Sequence, residues 1–100
     1  MKTYRELEVG DILYVLTEEL EIEKTVISRI SRLPKFISLK LIDNSGNIRY
    51  HKYIHIERIE RTVSLTTATN LKDIKKLKAK KVAALNSEWR RGLWSKSFFI

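Results

Sequence analysis

The chain of 100 residues contains no cysteine, one proline and three glycines. Without cysteine there can be no disulfide framework, no thiolate zinc site and no cysteine nucleophile. The three glycines stand apart, so no glycine-rich loop can cradle a phosphate, and neither G-x-S-x-G nor H-E-x-x-H occurs. The sequence therefore predicts a protein that is not an enzyme and that has no cofactor and no metal site. The enzymatic alternative is a small basic nuclease that uses His51 or His55.

Long apolar segments are also missing. The longest uninterrupted apolar run is Ile12–Leu16, whereas a membrane-spanning helix needs roughly 20 such residues. The N-terminal sequence MKTYRELEVGD has no apolar region of the kind found in signal peptides. We therefore expect a cytoplasmic protein with no membrane partner. A hydrophobic fraction of 43% in a chain of this length suits one globular domain with a modest core.

Positive charge is what the chain has in excess, at +8 overall, and it is unevenly distributed. Residues 1–24 hold three basic and seven acidic side chains, a net charge of −4. Residues 25–61 hold eight and three, which gives +5, and residues 62–100 hold nine and two, which gives +7. This polarity favours an anionic partner for the C-terminal third, and the two candidates are nucleic acid and an acidic protein surface.

Apolar and alternating segments in the first two thirds of the chain predict an antiparallel sheet. A first strand, ILYVL, is apolar on both faces, and the next segment, LEIEKTVISRI, alternates as a half-exposed strand. In this second strand we expect Glu21, Glu23, Thr25 and Arg29 to share the outward face, with Ile27 breaking the pattern. The segment KFISLKLIDNSGNIRYHKYIHIERI predicts a β-hairpin with its turn at Asp43–Asn47. A fifth, short strand is expected in TVSLT, and the five together predict a curled, partly open barrel over residues 1–67.

From Asn70 the apolar period changes to that of an α-helix. The stripe consists of Leu71, Ile74, Leu77, Val82, Leu85, Trp89 and Leu93. Asn70 suits the N-cap and Gly92 the C-terminal end of the helix. We expect a basic amphipathic helix over residues 70–91 that packs on the sheet, followed by an apolar tail over residues 92–100.

The succession of a Gly-Asp turn, ILYVL, EKTVISRI, a hairpin and VSLTTATN before a helix resembles a group of small phage and prophage proteins. In these proteins an SH3-like barrel precedes one helix. The resemblance implies that Gly10 and Asp11 form the first turn and that Thr66, Thr67, Thr69 and Asn70 join barrel and helix. It implies an α+β, mainly β fold, which is a small antiparallel SH3-like barrel or a curled five-stranded sheet with one C-terminal helix. It also implies a phage or mobile-element origin and a location in the host cytoplasm. SH3-like barrels bind peptides, proteins, RNA or DNA, so the fold alone does not choose a partner.

The segment IRYHKYIHI carries candidate binding residues. Alternation places Arg49, His51, Tyr53 and His55 on one face and Ile48, Tyr50, Ile54 and Ile56 on the core face. Planar groups interleaved with positive charge on an open strand offer stacking surfaces to single-stranded bases. The alternative is that they serve only strand formation and cross-strand packing. His51 and His55 would lie about 13 Å apart along the strand, too far to chelate one metal ion.

The predicted helix holds the densest positive charge. Projection at 100° per residue groups Lys72, Lys76, Lys80, Arg90 and Arg91 opposite the apolar stripe. A solvated face usually mixes both signs, and like charges four residues apart weaken a helix. An anionic partner would relieve this repulsion, and the alternative is a basic face without a specific use. The leading hypothesis is a non-enzymatic accessory or regulatory protein that binds the phosphates of nucleic acid with these residues.

Other functions stay open at this point. A protein-binding inhibitor or adaptor would dock its basic helix on an acidic host protein, with Trp89, Trp94, Phe98 and Phe99 as anchors. A sponge for a small anionic nucleotide would need a deep pocket lined by basic groups. The acidic segment Glu18–Glu23 serves either solubility and protection of a sheet edge or pairing between copies, which leaves a homo-oligomer open.

Overall fold

A computed structural model describes residues 1–90, the last four of them as backbone only. The strands are β1 (Ile12–Leu16), β2 (Ile22–Arg32), β3 (Phe36–Ile42), β4 (Ile48–His55) and β5 (Thr67–Ala68), and the helix is α1 (Leu71–Arg90). Two single 3-10 turns lie at Tyr4–Glu6 and Ile56–Arg58. All strand pairs are antiparallel, in the order β4-β3-β2-β1-β5. The predicted fold class is confirmed: a curled half-barrel of five antiparallel strands is followed by one helix.

A five-residue turn, Thr17–Glu21, joins β1 to β2. The amide of Thr17 donates to the carbonyl of Glu21, and the amide of Leu20 donates to the carbonyl of Thr17. Leu20 adopts a left-handed backbone conformation with φ +62°, which costs a residue other than glycine about 1 kcal/mol or more. Its side chain packs in the cluster that holds the helix to the sheet, and this packing offsets the strain.

A β-bulge in β2 changes which residues face the core. Ile27 pairs with Leu41 but Arg29 pairs with Lys40, so Ser28 is an extra residue on the bulged strand. Ile27 is therefore 1% exposed and lies on the inner face, while Arg29 points outward. The prediction for Thr25 was wrong, because its side chain is buried and donates a hydrogen bond to the carbonyl of Leu13.

The hairpin of β3 and β4 is confirmed. In its turn the carboxylate of Asp43 accepts hydrogen bonds from the amides of Ser45 and Asn47 at 2.9 and 3.1 Å. Gly46 has φ +84°, a conformation that glycine adopts without steric cost. The predicted fifth strand TVSLT was wrong, since β5 follows it at Thr67–Ala68. Within the predicted segment only Val63 forms a bridge, and its partner is Ala68.

The inner face of the half-barrel holds the main core. Its buried members are Tyr4, Leu7, Leu13, Val15, Ile27, Ile37, Leu39, Leu41, Ile54 and Ile59. Tyr4 reaches this core from the first 3-10 turn, where the carboxylate of Glu6 accepts hydrogen bonds from the amide and hydroxyl of Thr3. These hydrogen bonds lower the pKa of Glu6. The segment before β1 thus completes the core.

A second apolar cluster fixes α1 on the outer face of β1, β2 and β5. Its buried members are Leu16, Ala68 and Ile74, and Leu77 packs against them. The predicted stripe packs over only part of its length, because Leu71 and Leu85 are each 42% exposed. The side chain of Trp89 and residue Leu93 lie outside the described residues. In residues 1–90 no helix is long and apolar enough to cross a membrane.

Candidate functional site

The uncovered part of the outer sheet face presents a row of basic side chains. Directly opposed residues of antiparallel strands share a face, and the pairs Arg29↔Lys40 and Lys40↔His51 therefore form one row across β2, β3 and β4. Neighbouring strands are about 4.8 Å apart, so the three side chains span roughly 10 Å. Arg29 and His51 are exposed and Lys40 is half-buried.

Aromatic rings lie beside this row. The rings of His51 and Tyr53 are stacked, with 4.6 Å between centroids and 28° between planes. Phe36 and Tyr53 form a T-shaped pair, with 5.3 Å between centroids and 75° between planes. The Nε2 atom of His51 lies 2.5 Å from the hydroxyl of Ser38. Tyr53 is nevertheless 58% exposed, so part of its ring is accessible to a planar ligand.

An aliphatic row separates the basic row from the part of the face that α1 covers. Ile12, Val26, Ile42 and Ile48 are cross-strand partners on the outer face. Ile48 is 64% and Ile12 39% exposed. Three successive cross-strand rows of the uncovered face are therefore aliphatic, basic and aromatic. Such a face could accommodate both the bases and the phosphates of a nucleic acid.

Carboxylates are absent from the outward positions of these three strands. The outward residues of β2 to β4 comprise Ile22, Lys24, Val26, Arg29, Ser31, Phe36, Ser38, Lys40, Ile42, Ile48, His51, Tyr53 and His55. Just after β4, the carboxylate of Glu57 lies 3.9 Å from Nδ1 of His55. A face with three permanent cations and no anion among its strand residues attracts polyanions.

The structure has His51, Tyr53 and His55 on one face, as the alternation predicted, and Arg29 points outward as expected. Lys24, Arg29 and Lys40 were not among the candidate binding residues. Lys40 alternates with the core residues Leu39 and Leu41, so its outward position could have been read from that period. Arg29 was expected on the same face as Thr25, and the bulge at Ser28 is what places the two residues on opposite faces.

Arg49 does not share the face of His51 and Tyr53, contrary to the prediction. The pairing Leu41↔Tyr50 is followed by Ile42↔Ile48, so Arg49 is the extra residue of a second bulge. Its Nε lies 2.5 Å from Oε1 of Glu23, and its guanidinium lies 5.7 Å from the centroid of the Tyr50 ring.

The prediction that Glu23 faces solvent was also wrong. Its carboxylate accepts a hydrogen bond from the hydroxyl of Tyr50, which raises the pKa of that hydroxyl. Ile48 and Ile56 were predicted to lie on the core face but are 64% and 39% exposed. The bulge in β4 lies next to Ile48, and β4 ends at His55, one residue before Ile56.

An open cleft of about 750 Å³ lies at the unclosed seam of the half-barrel, beside this ion pair. Its charged lining consists of Glu18, Glu19, Glu21, Glu23, Arg49, Lys52 and Lys81. Lys52 points into the seam, where its ammonium donates to the hydroxyl of Thr66. Because carboxylates outnumber cations in this lining, the cleft does not favour binding of a small anionic nucleotide, as a nucleotide sponge would require.

The lysines of α1 lie on different sides of the helix. Lys76 and Lys80 line a small notch with Val63 and Leu77 and so lie on the flank toward the segment before β5. By helical geometry Lys75 and Lys78 project from the opposite flank, which is nearer to β2.

Lys72 projects furthest from the sheet. Lys72, Lys76 and Lys80 are exposed, as predicted, but the structure does not bring them next to His51 and Tyr53. The side chains of Trp89 and Arg90, and the residues Arg91, Trp94, Phe98 and Phe99, lie outside the described part of the chain.

Among the side chains that the structure describes, those of residues 1–86, no group of three or more histidines and carboxylates could hold a metal ion. Comparison of the chain with protein families, with curated proteins and with solved structures found no match.

Proposed function

We propose that this protein is a non-enzymatic nucleic-acid-binding protein and that single strands bind on the uncovered outer face of β2, β3 and β4. The observation that carries the proposal is the cross-strand row Arg29, Lys40 and His51 beside the open ring of Tyr53. An accessory or regulatory role in a phage or mobile element is part of the proposal and rests on the resemblance in layout alone.

The chemistry of the face favours single strands over duplexes. Unpaired bases expose their planar faces, which stack on aromatic side chains, while the backbone follows a positively charged surface. Tyr53 supplies the open ring, and Arg29 and Lys40 supply the charge. Because arginine and lysine at these positions would contact phosphates, we expect binding that depends little on base sequence.

The helix contributes through one flank. Lys75 and Lys78 extend the positive surface from β2 toward α1, whereas Lys76 and Lys80 point to the other side of the helix. The proposal therefore differs from the expectation drawn from the sequence, in which Lys72, Lys76 and Lys80 were the main phosphate ligands.

Two double variants of equal charge test this assignment. Arg29→Gln with Lys40→Gln alters the face, and Lys76→Gln with Lys80→Gln alters the far flank of α1. Fluorescence anisotropy with a labelled single-stranded oligonucleotide should give at least about tenfold weaker binding for the first variant and less than about threefold for the second. Equal losses would mean that net charge alone attracts nucleic acid, and the assigned face would then be wrong.

Salt dependence gives a second measure. Each phosphate contact to a single strand contributes about −0.7 to the slope of log affinity against log salt concentration. Loss of two contacts in the Arg29→Gln, Lys40→Gln variant should therefore make the slope less steep by about 1.4. If the affinity of the unaltered protein hardly changed between about 50 and 200 mM salt, phosphate binding would be excluded.

A further inference from the structure

The turn Thr17–Glu21 is where carboxylates without an internal partner are concentrated in the described part of the chain. Glu18, Glu19 and Glu21 are exposed, and none of them takes part in an ion pair or a side-chain hydrogen bond among residues 1–86. Apart from Glu8 and Glu57, the other described carboxylates each have such a contact: Glu6, Asp11, Glu23, Asp43, Glu60 and Asp73.

The turn holds these three carboxylates in a fixed arrangement. Besides its two backbone hydrogen bonds, the hydroxyl of Thr17 accepts from the amide of Glu21 at 3.1 Å. Leu20 is anchored by packing despite its positive φ. A charged loop that is already ordered loses less conformational entropy when it binds than a mobile one would.

The complementary surface is the far flank of α1. Lys72, Lys76 and Lys80 succeed one another at intervals of four residues, all exposed and none paired with another described side chain. Lys76 and Lys80 line a notch of about 200 Å³ together with Asp73, and Val63 and Leu77 form its apolar wall. The one carboxylate of Asp73 offsets only part of the charge of the three lysines. Repulsion along this row weakens the helix unless an anion approaches it.

The two surfaces cannot meet within one molecule. The turn borders the cleft at the seam together with Lys81, whereas Lys76 and Lys80 lie on the flank that faces Val63. We infer that the occupant of the lysine flank is the acidic turn of a second copy, so that Glu18, Glu19 and Glu21 of one molecule contact Lys72, Lys76 and Lys80 of the next. Exposed ion pairs are individually weak and are screened by salt, so this self-association is weak at physiological ionic strength and strengthens as salt is removed.

Neutralised variants test the inference. One carries Glu18→Gln, Glu19→Gln and Glu21→Gln, and the other carries Lys72→Gln, Lys76→Gln and Lys80→Gln. Sedimentation equilibrium of nuclease-treated protein, up to about 1 mM, compares them with the unaltered protein at about 50 and 500 mM salt. The Arg29→Gln, Lys40→Gln variant serves as a charge control, and far-UV circular dichroism checks that every variant is folded.

We expect the mass of the unaltered protein to rise with concentration at low salt and to return to that of the monomer at high salt. Each triple variant alone should stay monomeric, while an equimolar mixture of the two should form a 1:1 complex, because each still offers one intact surface. The charge control should associate like the unaltered protein. A monomeric unaltered protein at low salt, a triple variant that still associates alone, or a mixture that does not associate would each overturn the inference.

Discussion

The imidazole of His51 is stacked on the phenol ring of Tyr53, with 4.6 Å between the ring centroids. Neighbouring side chains hold this pair in place, since Ser38 contacts the imidazole and Phe36 packs against Tyr53 in a T-shaped arrangement. The ring of Tyr53 is therefore already ordered before a ligand arrives. Pre-ordering lowers the entropic cost of binding, which makes Tyr53 the residue on which the proposed function is most directly tested.

Replacement of Tyr53 by alanine should weaken binding of a single-stranded oligonucleotide by about 5- to 150-fold, since stacking on one ring contributes about 1–3 kcal/mol per base. Tyr53→Phe keeps the ring and should bind almost as well as the unaltered protein. Leu65→Ala removes a similarly exposed apolar side chain outside the face and is the matched control. Anisotropy titrations compare the three, and an unchanged affinity of Tyr53→Ala would rule out stacking on this ring.

Tyr4 ties the N-terminal segment to β5 through a buried hydrogen bond. Its hydroxyl lies 2.7 Å from the hydroxyl of Thr67 and 3.0 Å from the carbonyl of the same residue. Tyr4→Phe leaves these buried oxygens without that partner, and we expect the free energy of unfolding to fall by about 1–2 kcal/mol. Urea denaturation measures this value. Tyr14→Phe, which alters a half-buried tyrosine, should change it much less, and equal effects would show that the Tyr4 hydrogen bond adds nothing specific.

Burial raises the pKa of Tyr4 to about 12, and this shift predicts how stability depends on pH. The phenol loses its proton near pH 10 in the unfolded chain but only near 12 in the folded protein. The contribution of the neutral phenol is therefore fully present below pH 10 and is lost as the pH rises toward 12. Over that interval the free energy of unfolding should fall by about 2–3 kcal/mol from this group.

Urea titrations between pH 10 and 12 should show this fall in the unaltered protein. Subtraction of the Tyr4→Phe curve removes the contribution of the lysines, which titrate in the same range. If the free energy of unfolding of the two proteins depended on pH in the same way, the raised pKa of Tyr4 would be contradicted.

The sequence predicted the parts of the fold that depend on local period and turn chemistry. The hairpin turn at Asp43–Asn47 and the start of α1 after Asn70 both follow from residues that stabilise those conformations. The faces of β2 and β4 were not predictable in the same way, because each strand carries a bulge. A single extra residue, Ser28 or Arg49, reverses the alternation beyond it. This is why Thr25 and Arg29, which were expected on one face, lie on opposite faces, and why Arg49 was misplaced in the candidate site.

Long-range packing explains the remaining differences. The N-terminal 3-10 turn could have been found from Thr3 and Glu6, which have the spacing of a capping box, but its role depends on Tyr4 reaching Thr67. The apolar stripe of α1 correctly identified Ile74 as a buried contact. Its period could not indicate where the helix passes the end of the sheet, so the exposure of Leu85 was not predictable from the sequence.

Asn70 should be the residue on which the start of α1 most depends. The side-chain oxygen of Asn70 accepts a hydrogen bond from the backbone amide of Asp73 at 2.9 Å. The side-chain nitrogen of Asn70 donates a hydrogen bond to the Asp73 carboxylate, also at 2.9 Å. Thr62 donates a further hydrogen bond to that carboxylate, and these hydrogen bonds, that from Thr62 most strongly, lower the pKa of Asp73. Asn70→Ala should decrease the free energy of unfolding by about 1 kcal/mol, whereas Asn44→Ala, in an exposed turn, should have a much smaller effect.

The lowered pKa of Asp73 adds a dependence on acid. The ionised carboxylate stabilises the fold above the pKa of the unfolded chain, near 4, and this contribution is lost as the pH falls through the lower folded value. Urea titrations of Asp73→Asn should therefore show a shallower loss of stability below pH 4 than the unaltered protein.

Because the cap orients the first turns of α1, a frayed start would displace Lys72 and Lys76 but leave the outer face of β3 and β4 unchanged. Asn70→Ala should thus weaken self-association at low salt while oligonucleotide affinity is retained, and loss of both together would mean that the two surfaces are not separate.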